Sequence, residues 1–159
     1  MSKKLVAYFS ASGVTEGVAK KLAKATGADI FEIKPVTKYT EEDLNWRNSE
    51  SRSSVEMKNR DYRPPVSSKV GNMEDYSLIF VGFPIWWYVA PTIINTFLED
   101  YNLSGKTIII FATSGGSPMG KTIEELKDSC PLAKLVEGRI FKKNITEAEL
   151  KAWAESLKL

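Results

Sequence analysis

Five apolar segments of strand length, separated by stretches with helical spacing, constrain the fold of this chain more than any other feature. Strands are predicted over 4–9, 29–33, 77–82, 107–112 and 136–141, and helices over 16–25, 91–101, 120–128 and 146–157. Segments 77–82 and 107–112 are apolar without interruption, as in strands that are buried on both faces. Strands that alternate with helices predict an α/β fold, in which helices cover both sides of a parallel sheet.

The size and composition of the chain fit one domain over residues 1–159 and exclude several functions. With 159 residues and 43% hydrophobic content, the chain can bury one core. A net charge of +2, with acids among the Lys and Arg residues, gives nucleic-acid binding little support. The single cysteine, Cys130, and the lack of histidine exclude an internal disulfide, histidine-based catalysis and common zinc sites. No apolar stretch reaches the roughly 20 residues that span a membrane, and we expect a cytoplasmic protein.

A polar insert occupies residues 37–73 and contains no strand-like run. A short helical start is predicted at 40–44, and a second helix at 49–59. Connections of this length inside a compact domain are usually functional or mobile. The sequence leaves the role of the insert open.

The turn at residues 10–15 lies between a predicted strand and a predicted helix, where a phosphate can bind. The first N–H groups of a helix lack partners within it, and the hydroxyls of Ser10, Ser12 and Thr15 can add donors. The turn has no Lys or Arg, so it suits a phosphate that stays on a bound molecule better than one that is transferred. The alternative is an ordinary helix cap, which uses the same residue types.

Two later loops lie at the same edge of the predicted sheet, because they also follow strands. The loop at 83–89 carries Trp86, Trp87 and Tyr88, whose rings offer surfaces for stacking a flat ligand. They could instead fill the core or a partner interface, and we expect one tryptophan to pack inward. The loop at 113–117 is small and polar, which lets backbone approach a ligand edge. Together the three loops predict a site for a phosphorylated planar cofactor.

Segments 10–19, 82–87 and 112–117, in this order, resemble the flavodoxin-like proteins that bind flavin mononucleotide (FMN), and more narrowly a subgroup with a Pro-Ile-Trp-Trp loop. The resemblance covers nearly the whole chain and implies a three-layer sandwich with a five-stranded parallel sheet in the order 2-1-3-4-5. It implies that the FMN phosphate is held by Ser10, Ser12, Gly13, Val14 and Thr15. It also implies that the isoalloxazine is lined by Pro84, Ile85, Trp86 and Trp87, and bordered on its other side by Thr113, Ser114, Gly115 and Gly116.

The resemblance implies a redox protein with FMN as cofactor, and two functions remain open. One is an electron carrier that serves a redox partner protein. The other is an enzyme that takes electrons from NAD(P)H and reduces a quinone or similar small acceptor. The sequence shows no separate nicotinamide site, which favours the carrier. The lack of glycine at 84–89, where rotation to positive φ costs about 1–2 kcal/mol, and the aromatic loop, which could shelter a flat substrate, favour the enzyme. The slightly basic charge argues against a conventional basic redox partner. No side chain is predicted to be a catalytic acid or base, and no metal site is predicted.

Two nucleotide- or phosphate-linked alternatives share parts of the pattern. Gly115, Gly120, Lys121 and Thr122 match the spacing of a P-loop, although no apolar strand ends in an Asp that could hold Mg²⁺. A signalling receiver has the same topology but needs acidic residues where Phe9-Ser10 stands. The sequence therefore favours FMN over both alternatives.

Overall fold

The computed structural model describes residues 3–114 and 116–157. Its centre is a parallel sheet in the order β2-β1-β3-β4-β5. The strands are β1 (Lys3–Tyr8), β2 (Asp29–Glu32), β3 (Tyr76–Pro84), β4 (Thr107–Thr113) and β5 (Lys134–Phe141). In β1, Val6 lies opposite Ile30 of β2 and Phe80 of β3. The predicted fold class and strand order are confirmed.

Among the described residues, five α-helices accompany the sheet: α1 (Val14–Thr26), α2 (Arg52–Lys58), α3 (Thr92–Glu99), α4 (Thr122–Leu126) and α5 (Glu147–Ser156). The predicted helix over 120–128 is shorter in the structure, because residues 127–129 continue α4 as a tighter 3₁₀ turn. Helix α5 begins with a capping box, in which Thr146 and Glu149 each accept a bond from the other's backbone N–H.

The side chains of β1 alternate between two cores on opposite faces of the sheet. Val6 faces a core with Leu22 of α1 and Trp153 of α5. Leu5 faces the other core, which includes Phe97 of α3. This period of two, with helices on both sides, gives the three layers that the sequence pattern predicts.

The predicted helical start at 40–44 is wrong, because these residues form turns. Asp43 Oδ2 accepts a bond from Thr40 N–H, and Thr40 Oγ1 accepts one from Asp43 N–H, at 2.9 and 3.1 Å. Such side-chain bonds satisfy the backbone without a continuing helix. The predicted helix over 49–59 is shortened to α2, which Ser51 caps by accepting a bond from Ser54 N–H.

Within residues 3–114 and 116–157, no helix combines the length and the apolar character needed to cross a lipid bilayer.

Candidate functional site

The loops that follow β1, β3 and β4 meet at one edge of the sheet, because the strands are parallel and adjacent. Phe9 N–H donates to Gly82 O at 2.9 Å, which ties the loop after β1 to β3. Ile85 N–H donates to Thr113 O at 3.0 Å, which ties the loop after β3 to the end of β4. The three predicted segments therefore form one continuous surface.

The turn after β1 is shaped by Gly13, which precedes α1 with a left-handed φ of 94°. Gly13 N–H donates to Ser10 Oγ at 3.1 Å, so the turn closes on itself within three residues. The Ser10 hydroxyl still has its own proton to donate, since it acts here as acceptor. Ser12 and Gly13 are exposed, and Ser10 and Val14 are half-buried. The turn thus presents neutral donors at the N-terminus of a 13-residue helix.

The sequence predicts that the Thr15 hydroxyl donates to a ligand, but in the structure this hydroxyl bonds to another residue of the protein. The Thr15 side chain is buried, and its Oγ1 lies 2.7 Å from Thr113 Oγ1. Two hydroxyls that share one hydrogen bond leave one proton for another acceptor. The pair therefore joins the first predicted loop to the third. One of its two hydroxyl protons is not used in the bond between them.

The loop after β3 is a two-residue hairpin. Trp86 and Val89 exchange two backbone hydrogen bonds of 3.0 and 3.1 Å. Between them, Trp87 and Tyr88 have φ values of 51° and 64°. This combination is a type I′ turn, which usually contains Gly or Asn. The sequence argument treated positive φ as costly in a loop without glycine, yet two non-glycine residues already adopt it here.

The two tryptophans of the hairpin have different surroundings, as predicted. The Trp86 ring packs edge-on against Phe9 and Tyr39, with centroids 5.7 and 5.4 Å away. Trp87 is 43% exposed. The expectation that one tryptophan packs inward is confirmed, and Trp87 is the more exposed of the two rings.

Gly120 holds the hairpin from the far side of the site. Tyr88 O accepts a bond from Lys121 N–H at 3.1 Å. A Cβ on Gly120 would lie 2.3 Å from Tyr88 O and 2.7 Å from Tyr88 Cβ, and the φ of Gly120 is +55°. Only glycine allows this approach without displacement.

This geometry gives the P-loop pattern a different explanation. Thr122 is buried, and its hydroxyl donates to Met119 O, so it is not free to bind Mg²⁺. Gly115, the first glycine of that pattern and a predicted site residue, lies outside the described residues. Gly120 is explained by its contact with Tyr88.

The loop after β4 is organised by Ser114. Its Oγ accepts bonds from Gly116 N–H at 3.1 Å and from Ser117 N–H at 2.7 Å. This hydroxyl fixes the backbone of the loop, so its oxygen is already used. Thr113, Ser114, Pro84 and Ile85 lie together, because β3 and β4 pair up to Pro84 and Thr113.

A charged and aromatic cluster behind Trp86 was missed by sequence reasoning. Tyr39 donates to Glu56 Oε1, and Arg52 Nε donates to Glu56 Oε2 at 2.9 Å. The Arg52 guanidinium lies 3.8 Å from the centroid of the Tyr39 ring. Burial and the bond to Glu56 raise the pKa of Tyr39 well above its ordinary value of 10. The Arg52-Glu56 spacing of four residues was the available signal.

Two arginines hold the insert on the rest of the molecule. Arg60 donates to Ala90 O at 3.2 Å and to Glu125 Oε2 at 3.3 Å. Arg63 donates to both carboxylate oxygens of Glu99, at 2.8 and 3.0 Å. The hydrogen bond from Arg63 holds the pKa of Glu99 below its ordinary value of 4.5. The insert therefore has a defined position beside the site.

The chain and its fold are similar to known proteins. A family model for flavodoxin matches residues 3–157. Proteins from Bacteroides eggerthii and Bacteroides uniformis, provisionally described as flavoproteins, are 46% and 44% identical, with TM-scores of 0.93 and 0.91. The alignments cover 100% and 97% of this chain, and 99% and 98% of theirs.

A flavoprotein from Lactobacillus acidophilus, solved in complex with FMN, shares the fold at 21% identity and a TM-score of 0.71. That alignment covers 97% of this chain and 99% of the other. No curated protein matches the chain. Because the family model extends over almost the whole length, the chain belongs to the flavodoxin family.

Proposed function

We propose that this protein binds FMN without a covalent bond and carries electrons through it. The observation that carries the proposal is the neutral turn that begins α1, which lies at the same sheet edge as the Trp86–Val89 hairpin. Family membership supports it, and so does the FMN complex of the Lactobacillus acidophilus protein, which has the same fold.

The residues of the turn fit a phosphate that remains bound. The free N–H groups of the first turn of α1 favour an anion, and the Ser10 hydroxyl can donate a further bond. The positions proposed to hold the phosphate are Ser10, Ser12, Gly13, Val14 and Thr15. Those proposed to line the ring are Pro84, Ile85, Trp86, Trp87, Thr113, Ser114, Gly115 and Gly116.

When bound, FMN supplies the one- and two-electron chemistry, and the protein supplies binding and orientation. Trp86 is held by Phe9 and Tyr39, so it can fix the inner wall of the ring site. Trp87 is exposed and leaves one side open for the exchange of electrons. The other party to that exchange is proposed to be a redox partner protein or a small acceptor, and the Pro-Ile-Trp-Trp loop is proposed to define the subgroup.

A second candidate function is an NAD(P)H-dependent reductase of a quinone or similar small acceptor. It is supported by a cleft of about 460 Å³ beside the hairpin, which has the size of a small-molecule site. Anaerobic mixing of the FMN-loaded protein with NADPH separates the two functions. Rapid bleaching without an added reductase indicates the enzyme, and persistent yellow colour indicates the carrier.

The proposal is tested by titrating the FMN-free protein with FMN and with riboflavin, which lacks the phosphate. We expect a yellow complex in which FMN binds at least 100-fold more tightly, because the turn recognises the phosphate. Ser12→Glu adds a negative charge on an exposed side chain and should weaken FMN binding but not riboflavin binding. Ser12→Gln is the neutral control. Equal affinities for the two flavins, or no binding of FMN, would overturn the proposal.

A further inference from the structure

A tyrosine and a carboxylate of the insert lie one behind the other next to Trp86. The Trp86 and Tyr39 rings meet edge-on with centroids 5.4 Å apart, which is direct contact for two aromatic rings. The Tyr39 hydroxyl donates to Glu56 Oε1. An oxidisable indole, a phenol and a proton acceptor therefore follow one another without a gap.

The phenol and the carboxylate are both buried, and their arrangement is fixed by Arg52. Burying a carboxylate is costly unless it is paired, and Arg52 Nε donates to Glu56 Oε2 at 2.9 Å. Arg52 is itself held by a bond of 2.7 Å from its Nη1 to Thr37 O. One Glu56 oxygen thus faces Arg52 and the other faces Tyr39, which makes Glu56 Oε1 the nearest acceptor for the phenolic proton.

Arg52 also determines how Tyr39 can lose an electron. The Arg52 guanidinium lies 3.8 Å from the centroid of the Tyr39 ring. A fixed cation at this distance opposes a second positive charge on the ring, because the buried surroundings screen the repulsion poorly. Loss of an electron from Tyr39 is therefore favoured when the hydroxyl proton leaves in the same step, and Glu56 Oε1 is positioned to take that proton.

Trp153, on the other face of the sheet, shows what a tryptophan without this arrangement looks like. Its ring packs against Phe80 and Phe141, with centroids 5.9 and 5.0 Å away. Phenylalanine has no hydroxyl proton to release, so neither neighbour can supply an electron and a proton together. Trp86 and Trp153 are both packed against aromatic rings, and they differ in the chemistry of those rings.

We propose that Tyr39 and Glu56 form a proton-coupled relay that restores Trp86 after one-electron oxidation. A strong one-electron oxidant, the class to which photoexcited flavins belong, removes one electron from Trp86 and leaves a radical cation. Tyr39 then gives one electron to Trp86 and its hydroxyl proton to Glu56. Trp86 is restored, Tyr39 becomes a neutral radical and Glu56 becomes a carboxylic acid. The inference goes beyond the proposed function and does not require bound FMN, because every group of the relay belongs to this chain.

The relay can be reset from the solvent. Tyr39 lines a cavity of about 380 Å³, and Glu56 lines another of about 390 Å³, both within the size range of small-molecule sites. A small thiolate in solution donates one electron to the Tyr39 radical and becomes a thiyl radical. Glu56 returns its proton to Tyr39, which regenerates the phenol and the carboxylate.

The test exposes the full chain in the dark to the azide radical, a one-electron oxidant, and maps the oxidised tryptophans by tandem mass spectrometry. We expect Tyr39→Phe to raise the yield of oxidised Trp86 about threefold or more, because the electron donor is lost. Glu56→Gln should raise it by a similar factor, since an amide oxygen accepts a hydrogen bond but is too weak a base to take the proton. The yield at Trp153 should stay unchanged in both variants.

Tyr76→Phe is the matched control. Tyr76 is also buried and donates to a carboxylate, Asp29 Oδ2, at 2.6 Å, but it begins β3, whereas the hairpin follows the other end of that strand. This variant should leave the yield at Trp86 unchanged. N-bromosuccinimide, which oxidises tryptophan by direct contact, reports whether a variant has only exposed Trp86. We expect its reaction with Trp86 to be the same in wild type and in Tyr39→Phe.

Four results would overturn the inference. The yield at Trp86 could stay at the wild-type level in Tyr39→Phe, or in Glu56→Gln. Tyr76→Phe could raise that yield as much as Tyr39→Phe does. N-bromosuccinimide could react more with Trp86 in Tyr39→Phe, which would show loosened packing in place of a lost donor. Failure of the proposed function is recognised separately, because the comparison of FMN with riboflavin does not measure the oxidation of Trp86.

Discussion

The turn that begins α1 and the insert at 37–73 reach the same site by different physical routes. The turn is closed by a bond between Ser10 and Gly13, three residues apart. The insert is held by Arg63 on Glu99, 36 residues away, and by Arg60 on Ala90, 30 residues away. The turn is therefore shaped by bonds within its own sequence, and the insert by bonds from its arginines to residues elsewhere in the chain.

This difference predicts which parts of the site can be altered by mutation without disturbing the others. A change in the tethers of the insert should move the cleft and leave the phosphate turn intact. A change where distant elements meet, as at Gly120 and Tyr88, should affect the ring site without unfolding α1. The predictions below test this separation.

The largest effect is expected for Gly120→Ala. The new Cβ would overlap Tyr88 O, and the residue would also have to adopt a positive φ. We expect the free energy of unfolding to fall by about 3 kcal/mol or more, and FMN affinity to fall at least tenfold because the hairpin shifts.

Gly27→Ala is the matched control for this prediction, measured by urea unfolding. Gly27 has a φ of +70° but nothing within 4 Å of the new Cβ. Gly27→Ala should lower the free energy of unfolding only by the cost of placing a side chain at a positive φ, about 1 kcal/mol. If the two variants lose the same stability, the contact between Gly120 and Tyr88 does not hold the hairpin.

A smaller effect is expected when the Thr15-Thr113 pair is broken. Thr15→Val or Thr113→Val leaves the other buried hydroxyl without its partner at 2.7 Å, and each should cost about 1–3 kcal/mol. The double variant should cost less than the sum, because neither hydroxyl then remains. A double-mutant cycle by denaturant unfolding measures the coupling, and strict additivity would show that the pair does not act as a unit.

The stability that the bond between Arg63 and Glu99 adds to the protein should depend on pH. Arg63 lowers the pKa of Glu99, so the bond contributes fully above the ordinary value of 4.5 and is lost as pH falls through the lower, folded-state pKa. Both side chains are partly exposed, and Arg63→Gln should cost only about 0.5–1 kcal/mol at pH 7. The difference in melting temperature between wild type and variant should vanish toward pH 3. A difference in melting temperature that grows as pH falls would show that the stabilisation does not come from the bond to the Glu99 carboxylate.

The smallest effect is expected for Tyr88→Gly. Tyr88 is 57% exposed and has a positive φ, so glycine relieves strain while losing little packing. We expect a gain of about 0.5 kcal/mol in unfolding free energy. Val89→Gly, next in the chain and without positive φ, should lose stability instead. Thermal unfolding of both variants checks the sign.

Much of the sheet could be predicted, because its signals are local. The uninterrupted apolar runs of β3 and β4 indicated central strands, and the polar start of β5 indicated an edge. The inward packing of one of the two adjacent tryptophans also followed from the need to bury a large ring, but only the structure shows that this one is Trp86. The turns at 40–44 were missed, since Thr40 and Asp43 can begin a helix or close a turn with the same bonds.

The sequence by itself determined the α/β class and the neutral turn before α1, because each depends on periodicity or on residues close in the chain. The strand order was implied only by the resemblance to a family. Only the tertiary structure decided that Thr15 bonds to Thr113, that Gly120 lies under Tyr88 and that Tyr39 contacts Trp86. These contacts join residues far apart in the chain, and their geometry depends on how the strands and the insert pack together.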